Sequence, residues 1–298
     1  MKAESYLRPE TIAKVRRLDL KAKFIVEGFF TGSHSSPFQG FSTEFSEHRK
    51  YVPGDDIRTI DWSVYAKTDR FYVKKFRAET NMVCTLVVDT SASMGYRYGE
   101  TVSKLEYAIY LAAALGYLMI HQQDTVGLVT VDEAIRTVLP HKSKRSHLVN
   151  VLGTLAATRP SESTGLGACL SQVANLIHKR GLVVLLTDLL DDEDEVLKGL
   201  HHLKFYGHDI ILFHVLHEAE RNLPFEGQVR FRDMETGERL DADPVALRRT
   251  YRREIESFIE RWRERCLGLG IDFVPLDTSI AYDEALTRFL ANRARYGM

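Results

Sequence analysis

The sequence predicts an α/β protein: a mixed, mostly parallel, doubly wound sheet with helices on both faces. Three observations predict it. Short apolar runs, Val83–Val88 and Leu182–Thr187, are nearly free of polar residues, as strands covered on both faces require. Segments with helical spacing alternate with such runs, and that alternation gives right-handed parallel crossovers. Two further runs, Val126–Val131 and Ile135–Leu139, lie too close for a helical crossover and should pair antiparallel.

Before the first run stands an extension. Residues Pro9–Phe30 place Ile12, Val15, Leu18, Ala22 and Ile25 at helical spacing. The opposite face carries Lys14, Arg16, Arg17, Lys21 and Lys23 and reads as a solvated surface. Thr31–Gly40 is a Gly/Ser-rich loop, and Tyr51–Asp56 carries turn chemistry. Phe71–Phe76 reads as a strand. The division expected is an extension over 1–80 and an α/β domain over 81–298.

Within the domain, helices are predicted at about Val102–Gln122, Arg145–Ala157, Leu166–Lys179 and Asp194–Tyr206, with a strand at Asp209–Leu216. Glu226–Leu240 suits a β-hairpin turning at Met234-Glu235-Thr236-Gly237. Asp243-Pro244 starts a long helix, as N-cap and first helical position. Its inner face is Tyr251, Ile255, Phe258, Trp262 and Cys266, and Gly268 and Gly270 stop it. A strand at Ile271–Leu276 and a helix at Tyr282–Arg293 close the chain.

Composition narrows the function. With 298 residues, 44% of them hydrophobic and 27% charged, a sizeable core is available. A net charge of −1 provides no bulk attraction to nucleic acid or a membrane surface. Cys84, Cys169 and Cys266 are the only cysteines, without a CxxC pair, so neither a disulfide framework nor a zinc site is indicated. A reducing cytoplasm fits. Met1-Lys2-Ala3-Glu4 opens no signal-peptide core, and the longest apolar stretch, Leu111–Ile120, is too short to span a bilayer.

The chemistry gathers where strands end. Val83–Val88 runs into Asp89-Thr90-Ser91-Ala92-Ser93, and Leu182–Thr187 runs into Asp188. In open α/β sheets ligands bind at the carboxyl ends of strands. A third polar segment, Ser161–Gly165, precedes a helix on the same side. There the Thr164 hydroxyl can cap the helix or face the strand ends. Oxygen-only donors suit a hard divalent cation. Alone, Ser91 and Ser93 also suit a turn or a cap. The acidic run Asp191–Glu195 suits a helix N-terminus.

These residues resemble the metal-ion-dependent adhesion site of von Willebrand factor A domains: Asp-x-Ser-x-Ser, a loop threonine, then an aspartate ending a later strand. The matching positions are Asp89, Ser91, Ser93, Thr164 and Asp188, and the element order from about Met82 onward is that of the fold. The resemblance implies Mg²⁺ or Mn²⁺ on these five residues, with a Glu or Asp of a protein partner completing the coordination. One position departs from it: Leu189 follows Asp188 where many such domains carry glycine.

A second signature, Gly54-Asp55-Asp56-Ile57-Arg58-Thr59-Ile60-Asp61-Trp62, resembles the bacterial domain of unknown function 58 family. Tyr51-Val52-Pro53, Val73-Lys74-Lys75-Phe76, Leu223-Pro224-Phe225 and Asp233-Met234-Glu235-Thr236-Gly237 fit it too. Arg58 is placed to pair with Asp55, Asp56 or Asp61, and Trp62 to anchor the segment, as structural or docking residues. The resemblance implies work beside a MoxR-type AAA+ ATPase, as an adaptor in a chaperone-like system.

Enzyme signatures are weak. There is no Walker A sequence, Gly-x-Ser-x-Gly elbow or His-Glu-x-x-His. Ser91 stands where an aspartate-based phosphoryl transferase needs its second Asp. The expectation is a non-enzymatic, metal-dependent binding protein. The alternative is a Mg²⁺- or Mn²⁺-assisted hydrolase, with Glu162 as the nearby candidate base.

Overall fold

The computed structural model describes residues 9–31, 47–52, 61–75, 82–161 and 163–287. The chain divides into two compact units, residues 1–34 with 82–298, and residues 35–81. The first residues therefore group with the α/β unit.

Helices α1 (Pro9–Ala13) and α2 (Leu18–Thr31) replace the continuous helix expected over Pro9–Phe30. Lys21 is not solvated with the rest of its basic face. It is buried, with its ammonium 3.7 Å from the ring centroid of Tyr110, a cation–π contact that tolerates loss of water. The small unit pairs β1 (Glu47–Lys50) antiparallel with β2 (Tyr72–Lys75) around α3 (Trp62–Thr68). The aromatic content of this stretch concealed α3 from sequence reading.

In chain order the α/β unit continues with β3 (Val83–Asp89), α4 (Lys104–His121), β4 (Thr125–Val131), β5 (Ile135–Lys142), α5 (Arg145–Ala157), α6 (Leu166–Leu176) and β6 (Leu182–Thr187). Then come α7 (Glu193–Phe205), β7 (Asp209–Leu216), α8 (Glu218–Asn222), β8 (Val229–Arg232), β9 (Arg239–Ala242), α9 (Pro244–Gly268) and β10 (Asp272–Asp277). Six strands form one sheet in the order β10-β7-β6-β3-β4-β5. All neighbours are parallel except β5, antiparallel to β4. This is the mixed, mostly parallel sheet expected. Buried residues fill β6 throughout, whereas burial alternates along the edge strand β5, as a strand covered on one face must show.

The two faces carry different helices. Val87, Leu185 and Leu212 pack with residues of α6, α7 and α9 in one cluster that includes Trp262. Leu86 points the other way, close to Gly116 of α4 and beside Val151 of α5. Helices α6 and α7 cross at glycines: a Cβ on Gly167 would lie 2.4 Å from the backbone of Glu195, and one on Gly199 would lie 2.5 Å from Leu170 Cβ. Ends are capped as chemistry dictates. Ser103 and Glu106 form a capping box on α4, and Asp243 caps α9 with Pro244 at its first position.

Strand order creates the site. From β3 the chain steps to β4 on one side, while from β6 it steps to β7 on the other. The carboxyl ends of β3 and β6 thus flank the switch point, where connections diverge and leave a crevice.

Candidate metal centre

Asp89 closes β3 with its side chain 2% exposed residue-wide, among the most enclosed polar groups of the chain. Its Oδ1 accepts the Ser91 backbone N–H at 2.9 Å, and its Oδ2 accepts the Thr187 hydroxyl at 2.6 Å. The Thr187 oxygen also accepts the Leu189 N–H at 3.0 Å. One threonine thereby ties the two strand ends together. Ser91 and Ser93 follow in a tight turn leading into a 3-10 turn over Ser93–Gly95, their hydroxyl oxygens 3.2 Å apart. Burial and the charge of Asp188 push the Asp89 pKa up to about 7, against the hydrogen bonds from Thr187 and Ser91.

Asp188 is equally buried and has a cation. Lys104, at the start of α4 and fully enclosed, donates from Nζ to Asp188 Oδ2 at 2.8 Å and to Glu220 Oε1 at 2.7 Å. Burial raises the Asp188 pKa, but Lys104, the Ser93 hydroxyl and the Leu190 amide outweigh it, and the net shift is downward. Burial likewise lowers the Lys104 pKa, and its two carboxylates reverse that. His214 Nε2 lies 3.0 Å from the Asp188 carbonyl, and burial depresses its pKa to about 4, so it is neutral.

The turn after β6 accounts for Leu189. Its φ is +59°, the left-handed region that favours glycine. Leucine is held there by complete burial in the core cluster, while the Leu189 and Leu190 amides donate to the side chains of Thr187 and Asp188. The backbone geometry for which glycine is suited is therefore present without glycine.

The loop carrying Thr164 is fixed at the same edge. The Ser161 N–H donates to the Thr90 carbonyl at 2.8 Å, and the Ser163 hydroxyl to Glu133 Oε2 at 2.6 Å. Thr164 is half-buried, and among the described residues its hydroxyl takes no hydrogen bond. It does not cap α6, whose N-cap is Gly165. Glu162 lies outside the described residues. The acidic run caps α7: Asp192 accepts the Asp194 and Glu195 amides, and Glu193 pairs with Arg261 and Arg265.

Of the second signature, residues 53–60, including Arg58 and its expected carboxylate pairing, lie outside the described residues. Asp61 is buried and its Oδ1 accepts the Val64 N–H at the start of α3. Trp62 stands at the start of α3. It is 57% exposed, and its ring meets Tyr65 and Phe71 edge-on.

Four participants escaped sequence reading: Thr187, Lys104, Glu220 and Glu235. The last reaches Ser93 from the β8–β9 hairpin; burial and the charge of Asp188 raise its pKa, against hydrogen bonding by Ser93. Thr187 alone had a positional signal, as the residue before Asp188.

Would a divalent cation suit these residues? Among the described residues, no three His, Cys, Asp or Glu side chains are grouped to hold a metal ion. A cation here would depend largely on hydroxyl and water oxygens, as Mg²⁺ commonly does. Asp89, Glu220 and Glu235 each sense the charge of Asp188, and Lys104 pairs with Asp188 and Glu220. Asp89 in particular is a buried carboxylate facing another carboxylate, and its hydrogen bonds come from neutral donors. The donor set and the excess negative charge fit the cation.

The chain is 28% identical over 295 residues to the uncharacterized protein Rv1480 of Mycobacterium tuberculosis, covering 96% of this chain and 91% of that one. The uncharacterized protein Mb1516 of Mycobacterium bovis matches equally. Among solved structures it is similar to the conserved hypothetical protein BatB from Bacteroides thetaiotaomicron, with a TM-score of 0.49, 18% identity and coverage of 72% of this chain and 99% of that one. It is also similar to the VWA domain of SpRpn10, with a TM-score of 0.42, 12% identity and coverage of 70% and 94%. The family described as protein of unknown function DUF58 matches residues 47–261, and the chain belongs to that family.

Proposed function

We propose that this protein is a non-enzymatic binding module that recognises an acidic residue of a protein partner through Mg²⁺ or Mn²⁺. Asp89, Ser91, Ser93, Thr164 and Asp188 would hold the ion. The observation that carries this reading is the convergence of Asp89 and Asp188, from two different strands, with the paired Ser91 and Ser93 hydroxyls at the switch point. When bound, the ion would supply a hard positive centre with exchangeable positions, suited to a carboxylate. The chain's own part is to hold the carboxylates rigidly: Thr187 fixes Asp89, and Lys104 fixes Asp188.

Two features favour binding over hydrolysis. The donors around the strand ends are hydroxyls and constrained carboxylates, and His214 is buried with its Nε2 on the Asp188 carbonyl. A general base needs access to the reacting proton. We further propose a MoxR-type AAA+ ATPase as the partner and the cytoplasm as the place of action; the sequence resemblance supports the partner. No helix among the described residues is long and apolar enough to cross a bilayer.

The test is affinity capture with wild type and Asp89→Ala, each with Mg²⁺ and with EDTA, alongside calorimetric titration of the pure proteins with Mg²⁺. Metal binding lost in Asp89→Ala, and a partner set lost with either EDTA or the substitution, is the expected result. An identical partner set in every arm would overturn the metal-mediated mechanism. Metal-dependent turnover of phosphate or ester substrates, lost in Asp89→Ala, would replace binding with hydrolysis.

A further inference from the structure

The first half of α9 concentrates positive charge that has no counter-charge among the described residues. A surface groove of about 470 Å³ is lined there by Val245, Arg248, Arg249, Arg252, Arg253 and Glu256. Arg248 donates from Nε to the Leu223 carbonyl at 2.9 Å and from Nη2 to the Phe225 carbonyl at 2.8 Å. Arg252 donates to the Asn222 carbonyl from Nε at 3.2 Å and from Nη2 at 2.9 Å. These carbonyls orient the guanidinium groups without cancelling their charge. Arg249 and Arg253 are exposed, and among the described residues none of the four arginines pairs with a carboxylate. Further along the same helix the arginines are matched, Arg261 and Arg265 with Glu193, and Arg263 with Glu260. The unmatched four form two like-charged pairs, Arg248 with Arg252 and Arg249 with Arg253, at a spacing that weakens a free helix. The same spacing favours an incoming carboxylate, whose two oxygens match the guanidinium fork.

The order of chemistry along the groove selects the ligand. It runs from the exposed Val245, through the arginines, to Glu256, over about 16 Å of helix. A continuous polyanion such as nucleic acid would meet the exposed carboxylates of Glu254 and Glu256 and would gain nothing from Val245. The net charge of −1 supplies no wider field to hold it. We propose that this face docks a segment of a protein partner that presents an apolar residue, two carboxylates one helical turn apart and a basic residue, in that order. The apolar residue meets Val245, the carboxylates meet Arg249 and Arg253, and the basic residue meets Glu256. Arg248 and Arg252, held by the carbonyls of Asn222, Leu223 and Phe225, add to the field that attracts the carboxylates. This surface requires no metal ion, so it stands apart from the metal-dependent reading above.

Fluorescence anisotropy with the full chain in EDTA provides the test. The probes are a labelled alanine-based helical peptide bearing a leucine, two glutamates one turn apart and a lysine, its analogue with glutamines for the glutamates, and single-stranded oligothymidylate. Wild type should bind the acidic peptide about tenfold or more tightly than the glutamine analogue, and the difference should shrink as salt rises. Reversing both exposed charges, Arg249→Glu with Arg253→Glu, should weaken the acidic peptide about tenfold or more. A peptide with lysines in place of the glutamates should regain affinity for that double variant, which a folding defect would not produce. Arg263→Glu, on the same helix outside the groove, should leave binding unchanged. Wild type that fails to bind the acidic peptide, or binds the glutamine analogue equally, would overturn the docking surface, as would an equal loss in Arg263→Glu. Oligothymidylate bound more tightly than the peptide, and lost in the double variant, would overturn a protein segment as the occupant.

Discussion

Replacing Lys104 with methionine should make the stability of this protein depend on divalent cations. The ammonium is fully enclosed, 2.8 Å from Asp188 and 2.7 Å from Glu220, whose side chains are 1% and 19% exposed. Methionine keeps the length and much of the volume of lysine but removes the charge. Deleting one partner of a buried ion pair costs about 3–5 kcal/mol, chiefly because the other charge is left unpaired. The pair with Glu220 adds less, since that carboxylate retains some contact with water. At roughly 2–4 °C per kcal/mol for a unit of this size, the thermal midpoint in EDTA should fall by about 6–20 °C. An ion bound by the native state alone, at 100 times its dissociation constant, returns about 2.7 kcal/mol. Far-UV circular dichroism melts of wild type and Lys104→Met, in EDTA and in MgCl₂, provide the assay. Mg²⁺ should raise the midpoint of the variant more than that of wild type, because Asp188 lacks its ammonium. An unchanged midpoint in EDTA would refute the energetic role of Lys104, and a smaller Mg²⁺ effect in the variant would refute competition for Asp188.

Substitutions at three other positions probe further features. Asp89→Asn removes a buried charge facing Asp188; it should leave the EDTA midpoint equal or higher while erasing the Mg²⁺-dependent rise, both read in the same melts. Gly167→Ala would place a methyl 2.4 Å from the Glu195 backbone and must spread α6 from α7, so urea unfolding should show a loss of about 1–3 kcal/mol or more. At Leu189, φ +59° makes glycine the better small residue. Leu189→Gly should therefore be less destabilising than Leu189→Ala in urea unfolding, and the reverse order would dismiss strain at this turn.

Much of the sheet was legible because its signals are local. Val83–Val88 and Leu182–Thr187 are nearly free of polar residues since both faces of β3 and β6 are covered. The short gap between β4 and β5 forces antiparallel pairing whatever lies around it. The N-terminal helix was less legible, because the burial of Lys21 depends on the ring of Tyr110 in α4. Helix α8 is five residues long, too short for periodicity to register.

The site divides along the same line. Asp89, Ser91, Ser93 and Asp188 could be placed because each sits at or just beyond the end of an apolar run, and strand ends have known positions in a doubly wound sheet. Lys104 and Glu220 are charged residues at helix starts, indistinguishable in sequence from surface charges. Only the fold brings the starts of α4 and α8 together and makes Lys104 and Glu220 partners, 116 residues apart. Glu235 sits in a hairpin whose turn chemistry is evident in the sequence, but nothing local says where the tip rests. A motif therefore identifies groups able to hold a cation and leaves out the charges that compete for it. Lys104 already occupies one oxygen of Asp188 as a cation. Under the metal-dependent reading, partner affinity should therefore respond to substitution of Lys104, although it does not belong to the motif.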